Sequence, residues 1–292
     1  MRRSFAFWSS QFAGLWTNAP KGPSLFKKAR SFVTSTRAML DQDTGILSSP
    51  MVGAGIAESD KLTVILLNHK RPANIGMLAR YLLKNGFVSR LVISNNSQAY
   101  PIEKYVEVDD ARLVLLNQER PAGVGIRFAL AQRYDASYYL LIDDDIFLHP
   151  TQLQWLYWSL RHAPDRPHGI WGAALLSDKN PQTEWPFVHQ RNKVGPVDIL
   201  NGLFGFTREQ LGEYGRLCGL LGITDQSELS NGEDIILSFS GIRKPMVHNV
   251  GRIWECTSAS EPGVALYTSR PRFYEERWRM FSELREIKSL ND

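Results

Sequence analysis

The stretch Tyr138–Asp145, YYLLIDDD, decides the reading of this 292-residue chain. Five apolar or aromatic residues in a row suit a strand buried on both faces, and the run passes directly into three carboxylates. Three stretches upstream have the same form. Leu62–Leu67 (LTVILL) ends at Asn68-His69-Lys70-Arg71-Pro72, Arg90–Ile93 (RLVI) ends at Ser94-Asn95-Asn96-Ser97, and Arg112–Leu116 (RLVLL) leads into a loop. Between them, apolar residues at helical spacing (Ile75, Leu78, Ala79, Leu82, Leu83) close at Asn85-Gly86, and a second helix is expected over Ile126–Tyr134. Strands alternating with helices predict an α/β fold with a mostly parallel central sheet covered on both faces. Ligands of such sheets bind beyond the carboxyl ends of the strands. Those ends carry Arg71, Asn95, Asn96 and Asp143–Asp145.

Three adjacent carboxylates repel one another and call for a cation. Oxygen ligands of this kind suit a hard divalent ion, Mn²⁺ or Mg²⁺. If the strand continued through them, Asp143 and Asp145 would share one side and Asp144 the other. The bland alternative is an acidic turn before a helix, since His149-Pro150-Thr151 reads as a helix start. An Asp-x-Asp-x-Thr phosphatase is excluded, because position 147 holds Phe147 instead of a hydroxyl.

The net charge of +4 is unevenly spread. Seven basic residues and no acid lie in residues 1–40, which leaves 27 basic against 30 acidic residues beyond them. A body of slightly acidic balance argues against a nucleic-acid partner. The leader interleaves Phe5, Phe7, Trp8, Phe12, Trp16, Phe26 and Phe32 with its cations, which suits an anionic membrane surface. It contains neither a membrane span nor a signal-peptide core, so the expectation is a cytoplasmic protein held peripherally on a membrane. A Gly- and Ser-rich linker follows to residue 60, then a catalytic body over 61–292, with a nucleotide-binding half (61–150) and an acceptor-side half (151–292). The two cysteines, Cys218 and Cys256, do not make a disulfide framework.

The order of motifs from Leu62 to Phe281 resembles the GT-A nucleotide-sugar glycosyltransferases, most of all the exostosin-like, family-64 type. The resemblance rests on the basic turn at Arg71, the pair Asn95-Asn96, Arg127 ahead of Asp143–Asp145, the segment VDILNGLFGF (Val197–Phe206), and NGEDI (Asn231–Ile235). It implies a GT-A fold with a smaller mixed acceptor-side part. It further implies a nucleoside-diphosphate sugar donor, UDP-linked, a glycan or lipid-linked acceptor, and retention of configuration. Carried over residue by residue, Arg71, Asn95, Asn96 and Arg127 match contacts to nucleoside and diphosphate. Asp143 and Asp144 match contacts to ribose and donor sugar, and Asp145 matches the metal ligand. Asp234 matches the carboxylate beside the anomeric carbon, with Glu233 its neighbour, and Arg270 (or Arg272) matches an arginine facing the diphosphate. Gly232 stands where the family often has a cysteine, so that disulfide is absent, and the Asn usual before Arg127 is replaced within Pro121–Gly125.

Each of these residues also has a plainer reading. Glu233 and Asp234 can cap a helix after Asn231-Gly232, Asn95 and Asn96 can form a turn, and the arginines can be solvated. His248 at a strand end is the histidine best placed for a metal. Trp155, Tyr157 and Trp158 read as core, Trp171 and Trp185 as sugar platforms, and the stretch 272–288 as an amphipathic helix with a solvated face. Two rival functions remain at this point. One is an inverting, family-2-type transferase with Asp234 or Glu233 as general base, the other a non-catalytic sugar- or nucleotide-binding adaptor.

Overall fold

Strand β1 (Leu62–Asn68) is buried at every residue, and it forms the middle of the parallel part of the sheet. It pairs in parallel with β2 (Val88–Asn95) on one side and β4 (Tyr138–Asp143) on the other, and β3 (Leu113–Asn117) continues in parallel beyond β2. Side chains along these strands alternate between two cores. Val64, Leu66, Leu91, Ile93, Leu140 and Ile142 face one, and Ile65, Leu67, Val92, Tyr139 and Leu141 face the other. The first core is closed by helices α1 (Pro72–Leu83) and α3 (Pro150–His162). The second is closed by α2 (Ile126–Ala131), α4 (Arg208–Leu220), α5 (Glu233–Ser238) and α7 (Phe273–Ser289). A sheet covered on both faces needs near-continuous apolar runs in its inner strands, and Val64–Leu67, Leu91–Ile93 and Tyr139–Ile142 supply them.

Past β4 the sheet becomes mixed. Strand β9 (Ile199–Thr207) lies antiparallel to β4 and to β6 (His168–Leu175), and β7 (Phe187–Arg191) is antiparallel to β6. The short β10 (Met246–Val247) runs parallel to β6 and antiparallel to β8 (Gly195–Pro196). A separate pair joins β5 (Ile146–Phe147) to β11 (Trp254–Glu255). A short helix α6 (Leu266–Ser269) precedes α7. One nine-stranded sheet thus draws on both halves of the chain. The computed structural model describes residues 55–176, 186–255 and 266–290. The leader, most of the linker, Trp185 and Cys256 lie outside these, while Cys218 is a buried free thiol. Among the described residues no helix is long and apolar enough to cross a membrane.

The sequence placed β1 to β4 within a residue or two of their observed ends. Three expectations need correction. The helix expected over Ile126–Tyr134 stops at Ala131, where the chain turns toward β4. Trp155 is 60% exposed, because it sits on the outer side of α3, whereas Tyr157 is buried and stacks on Phe87. Helix α7 is no mere surface helix: Arg277, Phe281 and Leu284 form a buried stripe along it. Helix α3 does start where expected, with His149 and Gln152 closing a capping box.

Candidate active site

The carboxyl ends of β1, β2 and β4 open on a cleft of about 660 Å³, within the range of small-ligand sites. On its floor the strand ends at Asp143, and the chain turns through Asp144 and Asp145 before β5. The three carboxylates therefore do not alternate along an extended strand. Asp144 is buried and firmly held. It accepts from the His69 amide at 2.9 Å and from Arg71 Nη1 at 2.6 Å, while its carbonyl accepts from Asn74 at 2.7 Å. Arg71 also reaches Asp145 through Nη2 at 3.1 Å. Asp143 accepts from Arg127 Nη1 at 2.8 Å. Buried Arg127 and half-buried Arg71 thus face three carboxylates, and Glu255 adds a further negative charge nearby. Burial pushes the Asp145 carboxyl up to about 7, with Asp143, Asp144 and Glu255 adding to the rise and Arg71 opposing it.

Asn96 shapes the next wall. Its side chain donates to the Ala122 carbonyl and accepts from the Ala122 amide, both at 2.7 Å, which pins the loop Pro121–Gly125 over the cleft. The loop is tied from behind by Gly123 N–H donating to Ser227 O at 2.6 Å. A Cβ on Gly123 would lie 2.3 Å from the Leu229 carbonyl, so only glycine allows this approach. Asn95 behaves differently. Register places Asn68, Asn95 and Asn117 side by side at the ends of three strands. Asn68 donates to Asn95 at 2.7 Å, and Asn95 donates to Asn117 at 2.9 Å. Asn95 is fully buried in this amide ladder and is not among the residues that line the cleft.

The opposite wall carries Asp234, at the start of α5. Gly232 at φ +87° turns the chain into this helix, where the two acids occupy the positive end. Asp234 forms two hydrogen bonds with Arg277 of α7, Nη1 to Oδ1 at 2.8 Å and Nη2 to Oδ2 at 2.7 Å. Asn201 of β9 donates to the same Oδ2 at 3.2 Å. Beside Asn201, Gly202 adopts φ +71°, in the left-handed region where an added side chain is strained. Both Asp234 and Arg277 are buried and both line the cleft. Glu233 is buried behind them and does not line it. Burial raises its carboxyl to about 7, with the Asp234 charge adding and Arg127 and Arg277 opposing.

Of the residues expected from sequence, the cleft brings together Arg71, Asn96, Arg127, Asp143, Asp144, Asp145 and Asp234. Arg270 pairs with Glu276 at 2.8 Å and bonds Ser230, and Arg272 is exposed against Glu275. The late arginine on the cleft wall is Arg277, which sequence reasoning missed. Its signal was an arginine four and seven residues ahead of Phe281 and Leu284, on the apolar stripe of α7. His248 turns away to His168, at 2.7 Å between ring nitrogens, and burial depresses its pKa to about 4. Trp171 lines the cleft, with Arg191 lying over its ring at 4.4 Å.

No protein-family model and no curated protein matches the chain. Among solved structures it is similar to GalNAc-T7, crystallised with UDP, GalNAc and Mn²⁺, at 12% identity and a TM-score of 0.50. That likeness covers 67% of this chain, and the chain spans 43% of GalNAc-T7. It is also similar to the mannosyltransferase PcManGT from Pyrobaculum calidifontis, in complex with GDP-Man and Mn²⁺. The identity there is 12% and the TM-score 0.47, over 98% of this chain and 84% of the other. The fold is of the GT-A glycosyltransferase type.

Proposed function

We propose that the chain is a metal-dependent glycosyltransferase that moves a sugar from a nucleoside-diphosphate donor to a hydroxyl of a glycan or lipid-linked acceptor. The observation that carries the reading is the convergence of Asp143–Asp145, Arg71 and Arg127 on one side of a single cleft, with Asp234 and Arg277 on the other. GalNAc-T7, which shares the fold, was crystallised with UDP and Mn²⁺. The donor set here fits such an ion: oxygen ligands only, with Asp143, Asp144 and Glu255 clustered about Asp145 and Arg71 the cation that reaches it. Asp145 would hold the ion, which when bound would offset charge on the leaving diphosphate.

The chain's own residues do the rest. Arg71 and Arg127 present fork-shaped donors at the diphosphate end of the cleft. In the reaction the bond from the anomeric carbon to the β-phosphate oxygen breaks, and its electron pair leaves with the diphosphate. The acceptor oxygen bonds to the anomeric carbon. In the retaining course implied by the exostosin-like resemblance, its proton passes to the leaving phosphate oxygen. Asp234, fixed by Arg277 and Asn201, sets a negative charge where the sugar becomes cationic. The inverting alternative gives the proton to a carboxylate base instead. Asp234 is the acid that lines the cleft, so it is better placed for that role than Glu233. A panel of nucleotide sugars read by release of free UDP, with and without Mn²⁺, tests the reading. NMR of the product's anomeric centre separates the two courses, and absence of turnover with every donor favours a binding adaptor. The leader, by its charge, would hold the enzyme on an anionic membrane surface.

A further inference from the structure

We propose that a second recess beside the cleft receives the anionic group of an acidic saccharide acceptor, a sugar carrying a carboxylate or a phosphate. The inference rests on the donor reading above and names the substrate class on its other side. The recess, of about 330 Å³, shares Trp171, Arg191 and Glu255 with the cleft and adds Asn192, Asn249 and Arg252. Two guanidinium groups thus face one carboxylate, a balance that favours an anion.

The two arginines are held in an unusual way. Arg191 lies 4.4 Å over the ring of Trp171, and Arg252 lies 4.0 Å over the ring of Trp254. Both indoles are buried and both arginines are exposed. A guanidinium held over an aromatic face by its charge is restrained while N–H groups remain for a ligand. Arg191 turns its fork to Glu255, Nη1 donating at 2.7 Å and Nη2 at 3.5 Å, which leaves Arg252 as the principal anion contact. Arg252 makes no ion pair with any described residue, so its fork is open to a carboxylate or a phosphate. Its backbone is fixed, because Gln152 of α3 donates to the Val250 and Arg252 carbonyls at 3.0 and 2.9 Å. Asn192 and Asn249 add amides of the kind that pair with sugar hydroxyls.

Position makes this an acceptor feature. Glu255 pairs in register with Ile146, the residue after Asp145, so the recess begins where the donor-side carboxylates end. A saccharide seated on Arg252 would extend past Trp171 toward the anomeric position between Asp145 and Asp234.

Calorimetric titration tests the proposal. UDP with Mn²⁺ is titrated first, then glucuronic acid, glucose 6-phosphate and glucose in turn into the loaded protein. We expect at least one acidic sugar to bind ~10-fold or more tightly than glucose. The order of the two acids tells whether carboxylate or phosphate is preferred. Arg252→Ala should erase the preference while UDP binds as before, and Arg252→Lys, which keeps charge without the fork, should restore only part of it. Equal affinity for glucose and both acids, or a preference that survives Arg252→Ala, would overturn the proposal while leaving the donor reading intact. Failure of the wild type to bind UDP with Mn²⁺ would overturn the donor reading and the acceptor role together.

Discussion

Asp234 and Arg277 are joined by two hydrogen bonds in a buried setting, so removing either one strands a charge. Breaking such a pair typically costs about 3–5 kcal/mol, whereas replacing both partners by uncharged groups costs far less. Asp234→Asn and Arg277→Met should therefore each lower stability in urea by about that amount, and the double variant by clearly less than their sum. Activity has its own signature. Asp234→Asn, assayed well below its melting temperature, should lose at least ~100-fold in kcat with donor affinity nearly kept. A folded Asp234→Asn protein with wild-type kcat would reduce Asp234 to a structural acid. At Asp145 the sign of the pH effect follows from its raised pKa. The folded state keeps a proton up to about 7 that the unfolded chain releases near 4. The folded state therefore binds more protons across that window, and this group's contribution to stability falls as pH rises through it. Asp145→Asn should flatten that part of the pH–stability curve of the metal-free protein. Mn²⁺, competing with the same proton, should bind more weakly below pH 7 and gain nothing above it. An unchanged pH–stability curve in the variant would show that Asp145 titrates normally.

Helix α7 shows what an element can hide. Phe281 is fully buried against Phe187, Phe239 and Trp278, and one turn before it the same stripe delivers Arg277 to the cleft. Phe281→Ala should cost about 3–5 kcal/mol in urea unfolding. It should weaken activity only as far as Arg277 shifts; a loss under 1 kcal/mol would mean that α7 is not part of the core. In the sequence this helix reads as charged and solvated, because hydrophobic period alone does not say whether an arginine on the apolar side is a snorkelling surface group or a buried partner. The strands were far more legible: β1 and β4 are continuous apolar runs that end at polar residues, and that pattern sufficed to locate the cleft. What it left open was the role of each polar end. Asn95 and Asn96 are adjacent in sequence, yet alternation along β2 sends Asn95 into an interstrand amide ladder and leaves Asn96 to clamp the Ala122 loop. Likewise β9 is visible as an apolar strand, but nothing local shows that it runs antiparallel between β4 and β6. That placement is what brings Asn201 to Asp234.

At the scale of the molecule, the seven cations of residues 1–40 contrast with a body of −3 net charge. Each basic group near anionic lipid contributes about 1 kcal/mol, screened by salt. Removing the chain up to Ala57 would spare residues 58–60, where Asp60 pairs with Arg161 at 2.7 Å and its carbonyl accepts from Tyr157. That shortened protein should keep turnover on a soluble acceptor and lose co-sedimentation with anionic liposomes; equal sedimentation of both forms would refute the anchor. The central claim, a nucleotide-sugar transferase whose ion is held through Asp145, meets its most direct test in one calorimetric measurement of UDP binding to the wild type and to Asp145→Asn, each with Mn²⁺ and with EDTA. The account predicts tight binding by the wild type only with Mn²⁺, and weak binding by Asp145→Asn under both conditions. Equal UDP affinity in all four titrations, or no binding in any, would contradict it.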